Sequence, residues 1–100
     1  MMAILMRVQR HGLESDHPVM HTNYRLDFAY PAMRLGIETH GLRWHFGEER
    51  WKKDLRRDRR LAQLGWEILY YSWDDVHLEP ARVEQEVRGF LRERAIRAVQ

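Results

Sequence analysis

The sequence predicts a mixed α/β (α+β) domain with the element order (α)βββαβα. Residues that alternate between apolar and polar on both sides of Pro31 indicate two strands. Apolar residues recur at helical spacing after Glu48, and an aromatic run after Trp66 indicates a further strand. Strands that precede and alternate with helices in this way are typical of a mixed β-sheet flanked by helices.

The length and composition set the size and class of the protein. A chain of 100 residues predicts one domain over residues 1–100, with a core of modest size. The apolar stretches are far shorter than the ~20 residues that cross a bilayer, so we expect no membrane contact. The apolar start, Met1 to Met6, precedes Arg7 instead of following basic residues, which is not the order of a secretory signal. We therefore expect a cytoplasmic protein, and the lack of cysteine excludes disulfides and thiolate zinc sites.

The elements of the first half are predicted from turn residues and alternation. A short helix ends near Gln9, with Gly12 as its C-terminal stop. Pro31 ends the strand that precedes it because proline cannot donate to a β-ladder. The remaining predictions are a loop over Ser15–Pro18 and strands over Val19–Thr22, Tyr24–Tyr30 and Arg34–Thr39.

The elements of the second half are predicted from helical spacing and capping residues. A helix over Glu48–Leu64 is stopped by Gly65 at the C-terminal cap. Trp66–Trp73 is rich in aromatic and β-branched residues and predicts a core strand. A loop over Asp75–Glu79 leads to a last helix that begins at Pro80 and runs to about Val99.

The two strands around Pro31 predict an antiparallel hairpin in which opposite residue numbers sum to a constant. A turn centred between residues 32 and 33 pairs Tyr30 with Leu35 and Phe28 with Ile37 on an apolar face that also holds Leu26. The other face pairs Ala29 with Gly36, Arg25 with His40, and Asp27 with Glu38. The small residues Ala29 and Gly36 leave this second face uncrowded, which favours a site there.

Asp27 and Glu38 need a compensating charge in this arrangement. Directly opposite β-carbons lie only ~4.5–5.5 Å apart, and like charges so placed destabilise a sheet. One interpretation is a divalent cation such as Mg²⁺, which binds one or two carboxylates together with water and phosphate oxygens. The alternative is a nearby arginine such as Arg25.

The histidines and helix acids near this hairpin are further candidates. His40 lies on the Glu38 side of its strand, and His45 follows five residues later. Each could act as an acid or base, or be an ordinary surface histidine. Asp54 and Asp58 are predicted at or near the inward face of their helix, where the partner of each is either an arginine or a histidine that it orients.

A basic run stands out from the small net charge of +2. Seven basic and two acidic residues between positions 50 and 60 give a local net charge of +5. Arginine, whose planar fork suits phosphate, supplies most of it. The run is either a solvated helix face or a surface for nucleic acid. Its basic members are Arg50, Lys52, Lys53, Arg56, Arg57, Arg59 and Arg60.

Together these residues resemble the very short patch repair (Vsr) endonuclease-like group of the PD-(D/E)XK nuclease superfamily. The resemblance covers most of the chain, and its most specific part is the stretch Thr-His-Gly-x-x-Trp-His. The matching motifs are Tyr24-Arg25-Leu26-Asp27-Phe28, Ile37-Glu38-Thr39-His40-Gly41, Trp44-His45, Asp54 with Arg57 and Asp58, and Leu64-Gly65-Trp66.

The resemblance implies a restriction-endonuclease-like core and a role for each matching residue. Asp27 and Glu38 would bind Mg²⁺, with Mn²⁺ as a substitute, together with the backbone carbonyl of Thr39. His40 would stabilise charge on the phosphate, and His45 would be the general base. Asp54, as in the family, would orient His45. The residues expected to contact DNA are Arg25, Arg43, Trp44, Arg50, Lys53, Arg56, Arg57 and Arg60, although Trp44 could instead pack over the sheet.

The departures from the family limit what the resemblance implies. The Vsr enzyme has a structural zinc bound partly by cysteine, and none is expected here. The chain starts near the end of the family's first helix, so we expect a domain shortened there.

The leading hypothesis is a divalent-metal-dependent DNA endonuclease associated with the nucleoid. The alternatives are an inactive, antitoxin-like module that binds nucleic acid, and an interaction domain that forms a homodimer through the last helix.

Overall fold

A computed structural model describes residues 1–39 and 48–98 of the chain, with side chains from residue 52 onward in the second range. Four helices and four strands make up the described part, and a 3₁₀ turn over Pro31–Met33 joins β2 to β3. In chain order the elements are α1 (Met2–Val8), β1 (Glu14–Pro18), β2 (Arg25–Tyr30), β3 (Leu35–Glu38), α2 (Glu48–Gln63), β4 (Glu67–Tyr70), α3 (Trp73–Leu78) and α4 (Pro80–Ala98).

The four strands form one mixed sheet in the order β1-β2-β3-β4. The pairs β1–β2 and β2–β3 are antiparallel, and β3–β4 is parallel because α2 carries the chain back across the sheet. The predicted hairpin is confirmed: Tyr30 pairs with Leu35, and Ala29 pairs with Gly36. Phe28 pairs with Ile37 as well, so the turn keeps the predicted centre.

Helices cover both faces of this sheet, each over its own apolar core. The first core joins α1 and α4 to Tyr30, Leu35 and Ile37 of the hairpin. The second core lies on the other face, where Leu61 of α2 packs with Ala29. The predicted mixed sheet flanked by helices is therefore confirmed, and α2 lies over the face that carries the acidic pair.

The strand predictions for the first half are partly wrong. Residues 15–18 were predicted as a loop but belong to β1, and Val19–Thr22 forms a turn in which the Val19 N–H donates to the Tyr24 carbonyl (3.0 Å). Strand β1 is polar and ends in Pro18, a composition that is tolerated at the edge of a sheet. Helix α1 ends at Val8 with an extended Gln9, so Gly12 does not cap it.

The predicted uncrowded face between the two hairpin strands is also wrong. Leu26 leaves the face of Phe28 and packs with Ala29 in the second core. Leu26 and Ala29 are three residues apart and yet share this core, so the alternation along β2 is interrupted between them. A β-carbon added to Gly36 would lie 2.7 Å from Ile68 Cδ1 and 2.8 Å from Leu26 Cδ1, so this part of the face is tightly packed.

The second half matches the prediction except around residue 73. Helix α2 ends at Gln63, and Gly65 follows with the left-handed φ of 86° that favours glycine. The predicted strand over 66–73 is shorter, and the predicted loop over 75–79 is mostly the helix α3. Ser72 caps α3 in a reciprocal pair of hydrogen bonds with Asp75. Among the described residues, we find no helix with the length and apolar character required to cross a membrane.

Candidate active site

Asp27 and Glu38 meet on the sheet face that α2 covers. Their strands are neighbours, and the Asp27 N–H donates to Glu38 Oε2 (3.2 Å). The Asp27 carboxylate accepts two bonds at Oδ2, from the Thr39 N–H (3.0 Å) and the Thr39 hydroxyl (3.2 Å). The hairpin thus fixes both acids and Thr39 in one hydrogen-bonded unit at the end of β3.

Glu38 is a buried charged residue, with only 7% of its surface exposed. Burial raises the pKa of its carboxyl above the ordinary value, and the neighbouring negative charge of Asp27 raises it further. The guanidinium of Arg57 and the Asp27 N–H oppose this rise in pKa. A carboxylate in such a place needs a cation beside it to remain ionised near neutral pH.

Arg57 of α2 supplies that cation in the structure. Its Nη2 forms an ion pair with Glu38 Oε1 and also donates to the Arg25 carbonyl (3.4 Å). The guanidinium lies 5.7 Å from the centre of the Tyr24 ring, a cation–π arrangement. The compensating arginine is therefore Arg57 and not Arg25, whose Nε donates instead to the exposed Asp16 (2.7 Å).

The acids of α2 point inward, as predicted. Asp54 and Asp58 are both half-buried. Asp58 lies 3.8 Å from Arg57 and accepts a 2.6 Å bond from the hydroxyl of Tyr70, the residue that pairs with Glu38 in β4. Acids from β3 and from α2 itself therefore contact one arginine, and sequence spacing did not reveal the Glu38–Arg57 pair because α2 and the hairpin are far apart along the chain.

The outward side of α2 carries only positive charge over residues 52–60. The half-buried charged residues of this stretch are Asp54, Arg57 and Asp58, whereas the exposed ones are all basic. This segregation turns the basic run into a continuous cationic surface on the side of α2 that faces away from the acidic pair. The exposed basic residues are Lys52, Lys53, Arg56, Arg59 and Arg60.

Comparison with known proteins shows which family the chain belongs to. The family model described as REase_MTES_1575 matches residues 2–91, which is nearly the whole chain. The chain belongs to this restriction-endonuclease-like family. The family name denotes restriction endonucleases, so the comparison supports the nuclease class at a coarse level and leaves the Vsr-like subgroup as a prediction.

Two relatives of the chain come from Mycobacterium tuberculosis. They are "Uncharacterized protein MT2308" of strain CDC 1551 / Oshkosh and "Uncharacterized protein Rv2248" of strain ATCC 25618 / H37Rv. Each is 39% identical over 68 residues, which is 68% of this chain and 25% of the relative. The chain therefore spans about a quarter of the length of the curated relatives it matches. No solved structure matches it.

Several predicted site residues of this family member lie outside the described part of the chain. They are His40, Arg43, Trp44 and His45, and the side chain of Arg50 is outside it too. Within the described part, no group of three or more histidine, cysteine or acidic residues is placed to hold a metal ion. The described site therefore consists of the Asp27–Glu38 pair, Thr39 and the residues of α2.

Proposed function

We propose that the chain is a divalent-metal-dependent DNA endonuclease of the Vsr-like type, which hydrolyses phosphodiester bonds. One observation carries the proposal: Asp27, Glu38 and Thr39 form one hydrogen-bonded unit, and Arg57 of the basic helix α2 pairs with Glu38. Membership of the restriction-endonuclease-like family supports it independently.

The residues present fit a hard divalent cation. Carboxylates of Asp27 and Glu38, with the Thr39 carbonyl, are the oxygen ligands that Mg²⁺ and Mn²⁺ accept. Arg57 already forms an ion pair with Glu38 Oε1, so a metal ion bound there would displace this guanidinium from the carboxylate. When bound, the metal would neutralise a phosphate oxygen and lower the pKa of water.

The other residues would bind and orient the substrate. Arg57 can exchange its bond to Glu38 for a phosphate oxygen, because guanidinium binds carboxylate and phosphate with the same planar fork. The exposed bases of α2, Lys53, Arg56 and Arg60 among them, would hold the DNA backbone. Arg25 would contribute there from β2. The roles of His40 as phosphate ligand and His45 as base, with Asp54 orienting His45, rest on the resemblance alone.

A cleavage assay with matched variants tests the proposal. The parent chain is incubated with plasmid DNA and Mg²⁺ or Mn²⁺, beside Asp27→Asn, which removes charge at constant shape. The control is Glu93→Gln on α4, an exposed acid that pairs with Arg97 on the other side of the sheet (3.9 Å). We expect metal-dependent nicking by the parent and Glu93→Gln, and a loss of at least ~100-fold in Asp27→Asn. Equal rates for Asp27→Asn and the parent would disprove the assigned site.

The second candidate function is a non-catalytic module that binds nucleic acid. The Glu38–Arg57 ion pair favours it, since this pair makes the acidic site electrically stable without any metal. That function predicts DNA binding which weakens steeply with salt, and no cleavage under any metal condition.

A further inference from the structure

An exposed aromatic stack lies at the start of α3. The indole of Trp73 is 64% exposed, although tryptophan is usually one of the more buried side chains. The His77 ring lies over one face of the indole, with ring centres 4.1 Å apart and planes inclined by 12°. Among the described residues, His77 supplies the only ring in contact with the indole. The core position predicted for Trp73 is therefore wrong.

Local contacts hold this stack in place. His77 Nδ1 is 2.9 Å from the Trp73 carbonyl, which fixes the imidazole ring over the indole one helical turn away. The reciprocal hydrogen bonds between Ser72 and Asp75 fix the first turn of α3. Val76 packs against the first core and anchors the helix to the domain. An exposed ring held this way loses little conformational entropy when it binds a partner.

The stack lies at the same end of the sheet as the acidic pair. Because β3 and β4 are parallel neighbours, their C-terminal ends lie side by side at the same end of the sheet. The Tyr71 N–H donates to the Glu38 carbonyl (2.9 Å), which joins the end of β4 directly to the residue at the site. Trp73 follows two residues later, and two residues of chain span at most about 7 Å.

The chemistry of α3 selects a base rather than a phosphate as the contact. The first turn of α3 carries Asp74 and Asp75, and Asp75 pairs with Arg82 (3.3 Å). This turn therefore offers no net positive charge to a phosphate. A flat, open indole face stacks well on any nucleobase, whatever its sequence. In a duplex the base faces are already covered by their neighbours.

We propose that the Trp73–His77 stack binds the face of an unpaired nucleobase in the DNA strand held at Asp27 and Glu38. This inference rests on the proposed function and narrows its substrate to DNA that contains single-stranded or flared segments. Backbone contacts at α2 and a base contact at α3, which packs on the first core, would then hold the strand where it passes around the end of the sheet that carries Glu38.

Binding measured without metal tests the stack separately from cleavage. Fluorescence anisotropy in EDTA gives the Kd of the parent for a labelled single strand and for its blunt-ended duplex. The variants are Trp73→Ala, Trp73→Phe, which keeps a smaller ring, and His77→Ala, which keeps the indole but removes its support. The control is Leu78→Ala, because Leu78 is 68% exposed on the same helix and has no ring. Circular dichroism verifies that each variant is folded.

We expect the parent to prefer the single strand and Trp73→Ala to bind it roughly 5- to 100-fold more weakly, with duplex binding unchanged. The single-strand Kd values of Trp73→Phe and His77→Ala should lie between those of the parent and Trp73→Ala. Leu78→Ala should have the same Kd as the parent. Single-strand binding by Trp73→Ala equal to that of the parent, or equal losses in Leu78→Ala, would overturn the inference. If the parent cleaves DNA while the Trp73 variants bind the single strand as the parent does, the base contact at Trp73 is refuted and the proposed endonuclease activity is supported. If no variant or metal gives cleavage but Trp73→Ala loses binding, the proposed endonuclease fails and the base contact stands.

Discussion

Replacing Arg57 by methionine should destabilise the fold by about 3 kcal/mol near neutral pH. The side chains of Arg57 and Glu38 are only 16% and 9% exposed, so the ion pair is largely removed from water. Breaking such a pair costs ~3–5 kcal/mol, because a buried charge is left uncompensated. The lower end applies here because Glu38 keeps the hydrogen bond from the Asp27 N–H and can take up a proton.

The pH dependence makes this prediction specific to Glu38. Burial raises the pKa of Glu38 in the folded state, and removing Arg57 raises it further. Below the pKa of the unfolded chain, near pH 4, Glu38 is neutral in both states and needs no guanidinium. As pH rises the unfolded state ionises first, so the folded state binds more protons and the variant loses stability. The gap between parent and variant should therefore be small near pH 4 and largest near pH 7.

Urea unfolding at a series of pH values measures this gap. The matched control is Arg25→Met, since Arg25 and its partner Asp16 are 56% and 74% exposed, and a pair so open to solvent contributes little to stability. In a Glu38→Gln background the effect of Arg57→Met should shrink and lose its pH dependence, which separates Glu38 from the nearby Asp58. A gap that is the same near pH 4 and near pH 7 would refute the reasoning.

Three further predictions concern packing, a buried hydroxyl and the basic surface. Gly36→Ala should lower the free energy of unfolding in urea by ~1–3 kcal/mol, because the new methyl group would lie 2.7 Å from Ile68 Cδ1. An unchanged urea midpoint would contradict this and show that the neighbouring side chains move aside. Burial raises the pKa of Tyr30 to about 12, so the parent should lose stability as pH rises above about 10. Tyr30→Phe should lose ~1–2 kcal/mol at pH 7, since the Gln9 carbonyl loses the hydroxyl donor that it shares with the Leu5 carbonyl, and should lack that alkaline decline. Changing Arg56 and Arg59 together to glutamine should lower the salt slope of DNA affinity by about two, measured by anisotropy, whereas an unchanged slope would exclude phosphate contacts there.

The hairpin was predictable from sequence because local rules determine it. Pro31 and the alternation on both sides fix the centre of the turn, and the pairs Tyr30–Leu35 and Ala29–Gly36 follow by counting. The Asp27–Glu38 contact follows from the same register. The need for a compensating charge was also predictable, since two adjacent carboxylates repel one another.

What could not be predicted depends on long-range packing. The sequence offers several arginines near the acidic pair, and only the placement of α2 over the sheet selects Arg57 rather than Arg25. Strand β1 lacks an apolar alternation because it lies at a sheet edge. The Ser72-x-x-Asp75 spacing was a usable signal for α3, but the run of aromatic residues before it favoured a longer strand.

The charge segregation on α2 affects how the molecule would meet a polyanion before any contact forms. The net charge of +2 describes the whole chain, yet the side of α2 over residues 52–60 that faces solvent carries only cations. A charge distribution of this kind gives the domain a preferred direction of approach, because the field turns the positive side toward the polyanion during diffusion. The same bias would bring the solvent side of α2 to the polyanion first, one helix diameter from the Glu38–Arg57 pair on its inward side.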